Sequence, residues 1–182
     1  MSTVRNSIDS RSNARKTIEY EHASIHDERG FDCDIEFTLS TTTPKYYHIK
    51  TGADEIHLKD LIISTNKPEV KVWLYKNPTV TLNASPIQET LHNSDDDSVK
   101  TCTMKVYNNS TITNDGTVRK VYYLAGSSGN GHSSAGEVSA VPFWEFIMNP
   151  NSDYLIKILR LVSDGDTTGV LKLRLYVEDE YV

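Results

Sequence analysis

Apolar and polar side chains alternate with a period of two residues along much of this chain, and this feature constrains its fold most. Along residues 31–39 every second side chain is apolar, and the side chains between them are Asp, Glu or Thr. Residues 171–178 show the same alternation, with Leu and Val against Lys, Arg, Tyr and Glu. A period of two residues predicts β-strands that bury one face. Further strands are predicted at residues 46–49, 56–64, 70–76, 99–107 and 117–125.

Residues 154–162 fit two kinds of element. Some of their apolar side chains have helical spacing, and Ser152 or Asp153 could cap a helix there. As a strand, the same residues are apolar on both faces, which indicates a central strand. We predict the strand, because the alternating run from Val170 has a matching length and residues 163–169 could join the two runs as a hairpin.

Turns rich in Gly, Asn, Asp and Pro separate the predicted strands. About eight short strands that each bury one face require a two-sheet sandwich or a closed barrel. The fold class is therefore predicted to be all-β, as a jelly-roll-like antiparallel β-sandwich, since a jelly roll accommodates long and uneven loops. The turns lie at residues 51–52, 66–68, 77–78, 114–116 and 126–136.

Two regions are predicted, an N-terminal arm of residues 1–28 and a β-sandwich domain of residues 29–182. The arm has almost no apolar periodicity, and its basic side chains lie mostly in its first half. Such a segment cannot offset the entropy of its own ordering without a partner. We expect it to be disordered by itself, with a short helix near residues 17–26.

The overall charge narrows the range of partners. The chain has 19 basic and 25 acidic residues and a formal net charge of −6, so a protein that mainly grips nucleic acid is not expected. No segment has the apolar length of a membrane span, and the N-terminus lacks the apolar stretch of a signal peptide. Cys33 and Cys102 lie in strand-like runs and form no disulfide framework. We expect synthesis in a reducing cytoplasm.

Three motifs have a chemical interpretation and a simpler one. His22 and His26 could form half of a zinc site on a helix, but no third ligand is obvious, and a polar arm is favoured. Residues 95–97 are three aspartates without the spacing of a calcium loop, and a solvated turn is favoured. Residues 126–136 lack the lysine of a phosphate-binding loop and are interpreted as a surface loop. No residues converge into a catalytic set, so no enzyme activity, cofactor or metal is predicted.

Aromatic side chains are the remaining lead. A group of Tyr and Trp residues could line a sugar-binding face, as in carbohydrate-binding sandwiches. Its members are Trp73, Tyr75, Tyr46, Tyr47, Tyr122, Tyr123 and Trp144. Packing in the core and at subunit interfaces explains the same residues and is favoured, because Tyr and Trp are enriched in both. The number of Tyr and Trp on outward strand faces predicts a homo-oligomer, with a trimer favoured.

The order of these segments resembles a group of small bacteriophage head decoration, or cement, proteins. The resemblance spans residues 25–181, and Leu91–Asp97 departs from it where such proteins often have an Asn/Arg-rich turn. The segments that carry the resemblance are IHDERGF (25–31), YYHIKTG (46–52), VWLYKNPTV (72–80), FWEFIMNPNSDYLIKILRL (143–161) and LKLRLYVEDEY (171–181).

This resemblance implies a virion structural protein with a jelly-roll-like fold that binds the major capsid protein on the outer capsid surface and stabilises the shell. Binding would use surface area and no chemistry. The alternative is a carbohydrate-binding module on a virion surface or tail. The residues expected to contact a partner are Trp73 and Tyr75 on the domain, and Arg5, Arg11, Arg15 and Lys16 on the arm.

Overall fold

The computed structural model of the chain describes residues 5–8, 15–18, 29–40, 42–67, 69–82, 85–87, 92–93, 101–108, 110–124, 136–140, 146–162 and 165–178. Every regular element in these ranges is a β-strand. The described residues contain no helix long and apolar enough to span a membrane. The strands, numbered in chain order, are β1 (Arg5–Ile8), β2 (Arg15–Ile18), β3 (Gly30–Leu39), β4 (Lys45–Lys50), β5 (Glu55–Thr65), β6 (Val70–Lys76), β7 (Thr79–Thr81), β8 (His92–Asn93), β9 (Lys105–Tyr107), β10 (Thr111–Asn114), β11 (Thr117–Leu124), β12 (Gly136–Ala140), β13 (Phe146–Met148), β14 (Asp153–Arg160) and β15 (Thr167–Glu178).

Two large antiparallel sheets pack against each other. Sheet I has the strand order β12-β5-β15-β3-β8, and β13 also pairs with β5. Sheet II has the order β11-β6-β14-β4-β9. Two small sheets, β1-β2 and β7-β10, complete the described strands. The predicted all-β class and antiparallel sandwich are confirmed.

The strand order is that of a jelly roll. Its eight main strands are β3, β4, β5, β6, β11, the β12–β13 pair, β14 and β15. Numbered one to eight, they have the order 6-3-8-1 in sheet I and 5-4-7-2 in sheet II. The chain passes from one sheet to the other at almost every connection, so the two sheets are formed together around one core.

The core consists of the inward side chains of both sheets. Along β3 the alternation is strict, with Phe31, Cys33 and Phe37 buried and the acidic side chains between them exposed. The run before β9 follows the predicted alternation as well, although only Lys105–Tyr107 pairs as a strand: Cys102 and Met104 are buried. Burial of several such rows supplies the main stabilisation of a fold of this kind.

The ambiguous segment at residues 154–162 is a strand, as predicted. β14 lies at the centre of sheet II, between β6 and β4. Tyr154, Leu155 and Ile156 are consecutive and each has an exposed fraction of 0%. A strand covered on both faces needs no alternation, which is why the sequence pattern also fitted a helix.

The predicted hairpin between this strand and the run from Val170 is wrong. β14 pairs with β4 and β6 in sheet II, whereas β15 pairs with β3 and β5 in sheet I. The connection at residues 161–166 therefore crosses from one sheet to the other. Both strands are central and apolar, and each obtains two hydrogen-bonded neighbours only because they lie in different sheets.

The arm contains strands where disorder and a short helix were expected. β1 and β2 pair antiparallel, with Arg5 opposite Ile18 and Ile8 opposite Arg15. The predicted helix is wrong at its first two residues, Thr17 and Ile18, which lie in β2. Both are β-branched and lose rotamer freedom in a helix, so a strand suits them better. The rest of the helix prediction lies outside the described residues.

Candidate functional site

Two rows of side chains lie next to each other on the outer face of sheet II, toward its β11 edge. The register of β11, β6, β14 and β4 aligns them across the strands, and they point away from the buried Val72 and Leu74 because successive side chains alternate between the faces of a sheet. We call them the lysine–aromatic face. Its members are Val121, Trp73, Lys157 and Tyr46 in one row, and Tyr123 and Lys71 in the next.

The two lysines of this face lie over its aromatic rings. The Nζ atom of Lys71 is 4.6 Å from the centroid of the Trp73 ring and 4.7 Å from that of Tyr123. The Nζ atom of Lys157 is 5.3 Å from the Tyr46 centroid and 5.7 Å from the Trp73 centroid. At these distances an ammonium group is attracted by the negative face of a ring. The rings and cations therefore order one another on the surface.

Lys157 is also paired with a carboxylate. Its Nζ atom donates to Oδ2 of Asp115 over 2.7 Å, and both side chains are largely buried. Burial acts to lower the pKa of Lys157, but its hydrogen bonds to Asp115 and Tyr46 outweigh burial and leave the pKa above its ordinary value. This lysine is thus a charged structural group of the face.

The turn before β11 positions Asp115. Asn114 Oδ1 accepts a hydrogen bond of 2.8 Å from the Gly116 amide, as in an Asx turn. Gly116 has a φ of 89°, and a Cβ atom there would lie 2.5 Å from the Lys76 carbonyl oxygen. Only glycine fits that backbone, and the sequence Asn-Asp-Gly predicted this turn.

Lys71 differs from Lys157 in its electrostatic environment. Within the described part of the chain its ammonium group has the two aromatic rings and no carboxylate partner. Tyr123, beside it on the edge strand β11, is 58% exposed, and Val121 is 43% exposed. An ordered cation next to exposed apolar surface is suited to contact a partner that supplies a carboxylate.

The other half of the same outer surface is covered by the chain itself. Leu155, Tyr75 and Tyr107 are buried there, outside the main core between the sheets. His48 stacks on Tyr107 with ring centroids 5.5 Å apart, and its Nε2 atom donates to Oδ1 of Asp153 over 2.7 Å. Burial lowers the pKa of His48, and this outweighs the opposing effect of Asp153.

Sheet I has an outer face of a different chemistry. Its exposed acidic side chains on β3 are Asp32, Asp34 and Glu36, and we call these three, together with Asp60 on β5, the acidic face. Two cations of β15 lie among them. Lys172 Nζ is 2.8 Å from Asp34 Oδ2, and Arg174 Nη1 is 3.8 Å from Asp60 Oδ2.

A groove of about 600 Å³ opens beside the acidic face. Glu36, Thr38 and Phe37 of β3 line it, with the first residues of β15 on the adjoining strand. Lys45, at the start of β4, lines it as well. The groove therefore combines apolar contact, hydroxyl groups and both signs of charge.

The structure separates the predicted partner residues. Trp73 is a half-buried member of the lysine–aromatic face, whereas Tyr75, two residues along β6, is only 7% exposed and offers little surface to a partner. On the arm, Arg5 lies in β1, and Arg15 and Lys16 lie in β2. The structure does not bring the arm residues and Trp73 together in one sheet.

Sequence reasoning missed Lys71 and Lys157 as members of the site, although it counted Tyr123 among the aromatic candidates. The alternation along β6 put Lys71 on the same face as Trp73, and that signal was available. Lys157 reaches this face only through the pairing of β14 with β6. Period-two patterns do not reveal which strands are neighbours.

The remaining predicted motifs lie mostly outside the described residues. This applies to the histidine pair in the arm, to Asp95–Asp97, to Arg11 and to most of the Gly/Ser loop at 126–136, of which only Gly136 is described, at the start of β12. Among the residues that the structure does describe, no three His, Cys, Asp or Glu side chains form a group that could hold a metal ion.

The thiols of the chain are shielded. Burial raises the pKa of Cys33 to about 12 and that of Cys102 to about 11, so neither is a nucleophile near neutral pH. Comparison of the chain with protein-family models, with curated proteins and with solved structures finds no match in any of the three.

Proposed function

We propose that this chain is a virion structural protein that decorates the outer surface of a bacteriophage head, where it contacts the major capsid protein and stabilises the shell. The observation that carries this proposal is the lysine–aromatic face. It presents Trp73, Tyr123 and two ordered lysines on a rigid sheet, next to the exposed Val121. Trp and Tyr are among the few residue types that provide most of the binding free energy at protein contacts.

The rigidity of the face favours binding by area. Four neighbouring hydrogen-bonded strands hold its side chains, and the cation–ring contacts order them before a partner arrives. A surface that is ordered in advance loses less conformational entropy on binding. A cement protein, which has to clamp neighbouring subunits, benefits from this property.

The fold and the arm are consistent with the same role. Jelly rolls occur in viral capsid proteins and in lectins, although a fold alone does not define a function. The arm strands β1 and β2 pair with each other and with no described strand of the sandwich. Their basic residues Arg5, Arg15 and Lys16 would add contacts to an acidic part of the shell.

Carbohydrate binding is the second candidate, and the exposed ring of Tyr123 favours it. Sugar rings stack on exposed aromatic faces, and Tyr123 is 58% exposed on the edge strand. Against it, two ammonium groups already lie within 6 Å of the Trp73 centroid, and a sugar that stacks on that ring would have to displace a lysine. Contact with a protein is therefore the better-supported function.

Sedimentation with phage heads that lack their decoration protein tests the proposal. Trp73→Ala should weaken binding about tenfold or more, because it removes the central ring of the face. Ile147→Ala is the matched control, since Ile147 is an exposed apolar residue of β13 on the other sheet, at 48% exposure. A folded Trp73→Ala protein that binds heads like the wild type would contradict the proposal. Binding on a glycan array, lost in Trp73→Ala, without binding to heads would establish the carbohydrate function instead.

Deletion of residues 1–24 tests the arm separately. We expect a folded sandwich with nearly unchanged melting temperature and weaker attachment to heads, because β1 and β2 share no sheet with the described strands of the domain. A lower melting temperature would show that the arm packs on the sandwich. Unaltered binding to heads would reject its role in attachment.

A further inference from the structure

The lysine–aromatic face has a chemical complement on the opposite side of the same sandwich. Its described charges are two ammonium groups with one carboxylate, Asp115, beside them. The acidic face has four carboxylates against the two cations of β15. The lysine–aromatic face thus has an excess of positive charge and the acidic face an excess of negative charge, although the whole chain has a net charge of −6.

The two surfaces also differ in shape where their charges are unpaired. On sheet II, Tyr123 projects from the edge strand with 58% of its surface exposed, and Lys71 lies against its ring at 4.7 Å. On sheet I, the groove of about 600 Å³ has the exposed Glu36 in its lining. Glu36 has no ion pair within the described part of the chain, whereas Asp34 beside it on the same face is paired with Lys172.

We propose that a second copy of this chain binds head-to-tail, with Tyr123 and Lys71 of one copy inserted into the Glu36 groove of the next. Lys71 then obtains the carboxylate partner that the described residues of its own chain do not supply. The Tyr123 ring contacts Val170, and Thr168 can hydrogen-bond its hydroxyl group. The contact joins two different surfaces, so repetition of it produces a closed ring or a filament, and a ring of few copies fits a decoration protein.

Charge complementarity selects a second copy as the occupant. Like charges that face each other are repelled, so the acidic face does not bind its own copy face to face, and neither does the lysine–aromatic face. Only the head-to-tail arrangement places the excess positive charge of the lysine–aromatic face against the excess negative charge of the acidic face. This inference rests on the proposed role of the lysine–aromatic face as a protein-contact surface, and it names the protein that covers part of it.

Sedimentation velocity on the purified full chain, without phage heads, tests the inference. The wild type should sediment as an oligomer at micromolar concentration and physiological salt, and its self-affinity should fall at high salt. Lys71→Glu and Glu36→Lys should each weaken self-association about tenfold or more, since each places like charges in contact. Lys50→Glu is the matched control, because Lys50 is an exposed lysine of sheet II that lies outside the lysine–aromatic face.

Mixing and double variants distinguish a head-to-tail contact from other ways of assembling. In an equimolar mixture of the two single variants, every contact between unlike copies joins opposite charges, so the mixture should regain oligomers in which the two variants alternate, although each variant alone does not assemble. The double variant Lys71→Glu/Glu36→Lys reverses both charges, and should regain oligomers. Restoration in the double variant also shows that the single variants had not simply misfolded. Tyr123→Ala, which changes no charge, should weaken assembly independently.

Three results would overturn the inference. They are a monomeric wild type across the micromolar range, a Lys71→Glu protein that assembles like the wild type, and a double variant that stays monomeric while it folds. A monomeric wild type that still binds phage heads through Trp73 would remove this inference and leave the proposed function intact. An oligomer that does not bind heads would support this inference and contradict the proposed function.

Discussion

The two sheets of the sandwich both contribute to the core but have unlike outer faces. Sheet I exposes carboxylates along β3, and its ion pair between Lys172 and Asp34 is about half exposed, at 39% and 54%. Sheet II covers half of its outer face with its own chain and pairs Lys157 with Asp115 at 19% and 28% exposure. Water screens the first ion pair more than the second, so the two pairs differ in strength.

The comparison shows that an outward-pointing residue is not necessarily a surface residue. Leu155 points out of sheet II yet has an exposed fraction of 0%, whereas Ile62, at an outward position of β5 in sheet I, is only partly buried. The stability that an outward side chain contributes depends on whether other parts of the chain cover it, and this depends on where the loops lie. The following predictions measure this difference, from the largest expected effect to the smallest.

Leu155→Ala should destabilise the protein by about 2–5 kcal/mol, because it leaves a cavity under the covered half of sheet II. Ile62→Ala on sheet I should cost less, about 1–2 kcal/mol, since part of that side chain is already in water. Urea denaturation of the two variants measures both values. Equal losses at the two positions would show that the outer faces do not differ in coverage.

Asp115→Asn should lower the free energy of unfolding by about 1–2 kcal/mol, because the neutral amide removes the negative charge that pairs with a largely buried ammonium group. The same variant should weaken the lysine–aromatic face, since Lys157 loses the partner that positions it over Tyr46. Thermal denaturation gives the stability change, and the environment of Trp73 can be followed by its fluorescence. An unchanged spectrum and stability would show that Asp115 does not order this face.

Stability should fall as pH falls through about 6.5, the ordinary pKa of histidine. Burial holds the pKa of His48 below this value in the folded state, so the unfolded state binds more protons there and is favoured at lower pH. Above that pH the contribution is fully present. His48→Gln keeps a donor for Asp153 and should flatten the pH dependence of the free energy of unfolding. A slope that His48→Gln leaves unchanged would assign the effect to other groups.

Asp34→Asn should change the free energy of unfolding by less than about 1 kcal/mol, because its pair with Lys172 is half exposed and screened. High salt should abolish even this difference, whereas the Asp115→Asn loss should persist. Paired denaturation curves at low and high salt measure both. A large, salt-resistant loss of unfolding free energy for Asp34→Asn would show that its ion pair is shielded from water as well as the pair of Lys157 with Asp115.

The sequence by itself determined the strands and their buried sides. The alternation at residues 31–39 and 171–178 predicted β3 and β15, because a pleated strand with one face in water must alternate. The sequence also predicted the turn at Asn114-Asp115-Gly116, because the backbone at Gly116 has a positive φ that favours glycine. Local patterns determine local geometry.

Only the tertiary structure decided which strands are neighbours and which faces are covered. Lys157 reaches Trp73 because β14 pairs with β6, and nothing in the period of either strand contains that information. The predicted hairpin from β14 to β15 failed for the same reason: two apolar strands of equal length can pair or can lie in opposite sheets. The burial of Tyr75 likewise depends on residues distant along the chain. Pairing is settled by the packing of all strands at once, because a central strand is stable only where both of its edges and both of its faces find partners.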